Sequence, residues 1–298
     1  MTEDELNKRV LSRATREVED RKRAREQAVI VQQPRQPLAE RDERPALWGF
    51  IALAAALVIG GLFLLPGTFV EKLNWTVHGV CAQEHKLYLG GVSMPLCQRN
   101  TGLYSGVLAT LLTLLLMGRS HASKLPPRPI LLTLLAGIAW MGVDGFNSLF
   151  LDMGAPHLYE PQPVLRILSG LAMGMAVGTF LLFAINASLR SDPRRDQRII
   201  GGWREYGLLA LANLLIFVLI RLGGVWVLYP LAIFSTLGIF LVMFTVNLLV
   251  IAMVGNYENA VRRMVQLAAP AMGALVLTAV EFGLLAWARM AIESATGA

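Results

Sequence analysis

Two sets of side chains in this 298-residue chain could do chemistry. The first is the pair Cys81 and Cys97, the only cysteines, both in a polar connection between two apolar stretches. On the oxidising side of a membrane such a pair closes into a structural disulfide, stabilising by about 3 kcal/mol in the chain-entropy account. As separate thiols the two would pack or face lipid, and as a reactive pair they would carry redox or metal chemistry. The residues leave all three readings open. His78, Glu84 and His85 share the connection, but no pair has Cys-x-x-Cys or one-turn helical spacing, so no metal site is read and no cofactor is implied. The second set is ionisable residues inside apolar stretches: Asp144, Arg166, Arg221 and Glu281. A charge in hydrocarbon costs roughly 2.5–3.5 kcal/mol, so such groups face a bundle interior or a wet cavity. In one reading Asp144 pairs with Arg166 and Glu281 with Arg221 purely to hold helices together. In the other, all four and Arg99 line a polar pocket: the carboxylates carry protons or bind a cation, and the arginines hold a head group, phosphate or carboxylate.

The elements that position these residues are membrane helices. The chain is 55% hydrophobic and only 16% charged, against about 25% charged in soluble domains. Seven apolar spans are expected, at Leu47 to Leu65, Leu103 to Met117, Ile130 to Leu151, Val164 to Leu189, Tyr206 to Leu222, Trp226 to Val254 and Val265 to Ala288, each near the ~20 residues that cross a bilayer. Pro230 is expected to bend the entry of the sixth. Gly170, Gly174 and Gly178, spaced by four, predict a close helix crossing against Gly137 and Gly142. Asn147, Asn186, Asn213 and Asn247 are expected to hydrogen-bond between helices.

Of the 27 Lys and Arg residues, 21 fall on one set of alternate connections. The positive-inside bias therefore puts the amino terminus in the cytoplasm, the carboxyl terminus outside and the cysteine loop, residues 67–101, outside. The net charge of +6 is explained by this topology rather than by nucleic acid. Residues 1–45 carry 11 basic and 10 acidic residues, and predict a charged cytoplasmic helix over Glu3 to Val31 followed by a proline linker at Pro34, Pro37 and Pro45. Residues 46–298 form the membrane domain. A charged stretch this long before the first span argues against a removable signal peptide, so the first span stays as an anchor.

The run PLCQRNTGLYSG supplies Pro95, Cys97, Arg99, Thr101, Gly102, Tyr104 and Gly106, with Cys81 upstream. VDGFNSLF and VLRILSGLAMG add Asp144, Gly145, Arg166, Gly170 and Gly174. In these residues the chain resembles a family of predicted bacterial and archaeal membrane proteins catalogued as a domain of unknown function, over approximately His78 to Gly178. The family pattern has a Cys-His pair and a Cys-x-Arg-Cys element. Here Ala82 stands in place of that histidine and Asn100 in place of the second cysteine. A four-ligand metal set implied by the family would therefore keep only two of its thiols in this chain. The resemblance implies a prokaryotic cell membrane as the location and brings no established activity.

The sequence thus reads as an all-α, polytopic helical bundle with seven transmembrane helices. It has no Gly-x-Ser-x-Gly, no Gly-x-x-x-x-Gly-Lys, no His-Glu-x-x-His and no haem attachment run. Three functions remain open: binding or transport of a small anion or lipid head group at a pocket of Asp144, Arg166, Arg99, Arg221 and Glu281; a thiol-redox or metal-dependent enzyme at the outer face; and an accessory subunit that meets a protein partner through the amino-terminal helix. The lipid bilayer is the partner common to all three.

Overall fold

The computed structural model describes residues 42–81 and 85–296, together with Glu19 and Leu38. The helix expected over Glu3 to Val31, the Pro34 and Pro37 part of the linker, Glu84 and the partner-binding role of the amino terminus lie outside the described residues. The chain divides into Met1–Gln36 and Pro37–Ala298, and the second unit holds the fold.

Helix α1 (Arg44–Leu64) opens with a proline in its first turn, where the missing N–H costs nothing. Helix α2 (Phe69–Val77) starts with a capping box: Glu71 Oε2 accepts from the Thr68 N–H at 2.6 Å. Strands β1 (Lys86–Leu89) and β2 (Val92–Cys97) form an antiparallel hairpin around Gly90 and Gly91, both at positive φ. Helix α3 (Gln98–Leu116) leads directly out of β2. After β3 (Ala122–Lys124) come α4 (Arg128–Asp152) and α5 (Pro163–Ser188), again with proline in their first turns. Strand β4 (Arg194–Arg198), which pairs in parallel with β3, precedes α6 (Trp203–Leu222), α7 (Val225–Val254), a 3₁₀ turn at Met264–Leu267 and α8 (Ala268–Thr296).

Among the described residues six helices are long and apolar enough to cross a membrane: α1, α4, α5, α6, α7, and α8 with the turn before it. The expected second span, Leu103 to Met117, falls within α3 and its C-cap Met117, and α3 is not among the six. Its first turn, Gln98-Arg99-Asn100-Thr101, is polar, and its face is spent on protein rather than lipid. Helix α3 packs most extensively against α5, and also against α7 and α6. The two share a close crossing. An added methyl at Gly170 or Gly174 would run into the backbone of Arg99 or Leu103, and one at Gly102 into that of Ile167. The glycine face of α5 therefore meets α3, not the Gly137 and Gly142 face expected from the sequence. Gly137 abuts Ala172 instead, and Gly142 faces open space.

The connections gather at two ends. At one, the β1–β2 hairpin sits against the start of α7, where Gly90 has no room for a side chain beside Val225. His85 there stands 3.5 Å from Asp152 at the end of α4. At the other, β3 and β4 pair, the Asn259 N–H donates to Ser188 O, the Leu38 N–H to Ala260 O, and Arg119 pairs with Glu205. Helix α3 runs from the first end to the second.

Candidate functional site

The site is built where α3 begins, α4 ends and α5 begins. Asp144 lies two turns before the end of α4 and is fully buried, at 0% exposure. Its carboxyl group is enclosed by donors. Arg99 Nε and Nη2 reach Oδ2 at 2.9 and 2.6 Å, and Ser169 Oγ reaches the same oxygen at 3.2 Å. Tyr159 donates its hydroxyl to Oδ1 at 2.8 Å. Arg99 Nη2 also donates to the Asp144 carbonyl at 3.0 Å and to Ser148 Oγ at 2.9 Å. The pair is thus a two-pronged guanidinium–carboxylate contact with neutral donors completing it, the arrangement that makes a buried ion pair tolerable.

This corrects the pairing expected from the sequence. Arg99, on the first turn of α3, takes the carboxylate that one of the two sequence readings gives to Arg166. Arg166 lies on the first turn of α5 and is 6% exposed. Its Nε is buried with no hydrogen-bond partner, and it forms no ion pair among the described residues. A guanidinium cannot shed its charge, so a buried N–H of it left without an acceptor is costly. Arg99 Nη1 is likewise not used by Asp144 and lies along Gly145, where an added Cβ would be 4.0 Å away.

The connection Met153–Gln162 closes over this cluster, and Asn147 holds it there. Asn147 Oδ1 accepts from the N–H groups of Leu158 at 2.6 Å and Tyr159 at 3.2 Å, and Nδ2 donates to the Tyr159 carbonyl at 2.8 Å. An asparagine expected to link helices is therefore a clasp for a loop. Burial, with the hydrogen bond to Asp144, pushes the Tyr159 hydroxyl up to about 12, so it stays a donor at neutral pH. Beside it an open groove of about 580 Å³ runs along α4, lined by Gly142, Val143, Phe146, Asn147, Phe150 and Leu158 among others.

Arg221 and Glu281 lie elsewhere. Arg221 is exposed at the end of α6. Glu281, on α8, accepts from Asn247 Nδ2 of α7 at 2.7 Å, and that amide also donates to Thr278 at 3.0 Å. Of the five residues expected to line one pocket, the structure brings together Arg99, Asp144 and Arg166. Asn213, which donates to Thr110 at 3.1 Å, and Asn247 do link helices. Asn186 instead binds the carbonyls of Arg119 and Ala122.

Cys81 and Cys97 are not joined in a disulfide. They meet as thiols: the hydrogen bond from Cys81, together with burial, raises the Cys97 thiol far above its ordinary range. Of the three readings open for the pair the disulfide is the one not found, and the loop is tied non-covalently. Arg289 of α8 donates to the carbonyls of His78, at 2.7 Å, and of Cys81, while its Nε holds Glu293 at 2.7 Å and Glu293 meets His78 at 3.0 Å. Among the described residues no three His, Cys, Asp or Glu side chains are grouped to hold a metal ion.

Tyr159, Ser148 and Ser169 had no mark in the sequence. Ser148 and Ser169 are one turn from Asp144 and Arg166, a spacing that could have drawn attention to them. Residues 81–180 match a family model described as "Predicted membrane protein (DUF2085)". No curated protein and no solved structure matches the chain. With its apolar helices, the chain is a mostly helical, polytopic membrane protein, and the segment similar to that family is the one that carries Arg99, Asp144 and Arg166.

Proposed function

We propose that this protein binds or transports a small anion, or the anionic head group of a lipid, in the polar cluster at the start of α5. Arg166 is the principal ligand group, Arg99 Nη1 the second, and Asp144 the anchor that fixes Arg99. One observation carries the reading: Arg166 is buried near a carboxylate that four other donors already hold, and its own Nε is sealed off with no hydrogen-bond partner. A phosphate or carboxylate would satisfy it with a planar, two-pronged contact. Arg221 and Glu281 are not needed for this site.

The reading includes seven crossings, with the amino terminus in the cytoplasm and the site in the outer leaflet. The path of α3 from the hairpin end to the basic end supports seven, and the concentration of arginines on one set of connections supports the orientation. The test is native mass spectrometry of lipid-stripped protein with dioctanoyl phosphatidic acid and with inorganic phosphate. The parent should retain at least one of them, and Arg166→Gln should lose it by tenfold or more. Equal retention by the two proteins would remove the basis of the reading.

A further inference from the structure

The groove along α4 and the charged cluster share a wall. Asn147 lines the groove and at the same time clasps Leu158 and Tyr159, and Tyr159 reaches through to Asp144. Leu158 lines the groove, while the Tyr159 hydroxyl and Arg99 meet on the Asp144 carboxylate. The remaining lining is apolar and outward-facing: Val143, Phe146 and Phe150 are all exposed. The groove thus offers a hydrocarbon surface whose polar lining group, Asn147, clasps the residue that closes the Asp144–Arg99 cluster. A free anion needs only the arginine; an amphiphile uses both.

We infer that the ligand is an anionic phospholipid, taken from the surrounding leaflet with an acyl chain in the α4 groove and its phosphate turned past Tyr159 toward Arg166. This rests on the anion-binding reading above and adds the source of the anion. The charge of Arg166 selects an anionic head group over a zwitterionic one, because a choline would place a second cation near Arg99. The groove selects a lipid over free phosphate, since each chain methylene moved onto apolar surface from water adds to binding. Gly142 gives access to a clean test: it lies on the groove, and a side chain built there meets nothing within 4 Å. Leucine at that position fills the groove without disturbing the helix.

Binding of dioctanoyl phosphatidylglycerol, dioctanoyl phosphatidylcholine and inorganic phosphate is measured by titration calorimetry on the full-length chain in detergent, for the parent, Gly142→Leu and Arg166→Gln. The anionic lipid should bind the parent at least tenfold tighter than phosphate or the choline lipid. Gly142→Leu should weaken the anionic lipid at least fivefold and leave phosphate unchanged, and Gly142→Ala should fall between. Phosphate binding as tight as the lipid, or lipid binding unaltered in Gly142→Leu, overturns the lipid assignment and leaves the anion site standing. If Arg166→Gln changes neither ligand, or the parent binds neither, both readings fall.

Discussion

Asp144 and Arg99 are each held by the other, and the cost of separating them is mostly the cost of stranding the survivor. Arg99→Met or Asp144→Leu alone should destabilise by about 3–5 kcal/mol, whereas the double variant should lose much less, because no buried charge is left behind. Equilibrium unfolding in mixed micelles checks this, and additive losses would show that the pair is not a unit. Tyr159 gives a pH signature. Its hydroxyl is raised from an ordinary value of 10 to about 12, so its contribution is complete below pH 10 and is lost as pH climbs through 12. The parent should therefore lose stability over that window relative to Tyr159→Phe, which has no such proton to lose; parallel curves would contradict the contact. At this scale the sequence announced Asp144 and Arg166, because charges inside apolar runs demand an explanation. It could not announce that Arg99 wins the carboxylate, since Arg99 lies in a polar stretch and its reach depends on how α3 crosses α5.

The elements show the same division. The apolar runs marked the long helices closely, and the glycines spaced by four correctly announced a tight crossing, but its partner depended on tertiary order. Gly170 and Gly174 face the backbone of α3, so Gly170→Ala and Gly174→Ala should each destabilise by about 1–3 kcal/mol through overpacking. Gly142→Ala, with open space around it, should be neutral or stabilise by up to about 1 kcal/mol through helix propensity. Thermal unfolding of the three variants separates packing glycines from incidental ones. The hairpin has a sequence signature of its own: KLYLGGVSMPLC places two strand-forming runs about a Gly-Gly turn. Leu87, Leu89, Met94 and Leu96 are its buried side.

For the whole molecule, hydropathy made a membrane protein plain, while the number of crossings turns on α3, whose buried face carries polar residues that dilute its hydropathy. If α3 crosses, the termini lie on opposite sides. Alkaline phosphatase fused at Gly91, before α3, should then be active and one fused within Arg194–Arg198 inactive; equal activity would argue for six crossings. The cysteine loop is tied not by a disulfide, one of the three readings of its thiols, but by the clasp of Arg289 and Glu293, a contact over 200 residues of chain that no local spacing reveals. The central claim is that Arg166 is kept buried and unmatched for a ligand, and the thermal midpoints of parent and Arg166→Gln, each lipid-stripped and then supplied with dioctanoyl phosphatidylglycerol, test it most directly. The account predicts that the variant is at least as stable as the parent without lipid, and that only the parent gains on adding it. A variant that is several degrees less stable when stripped, yet gains as much from the lipid as the parent, would contradict it.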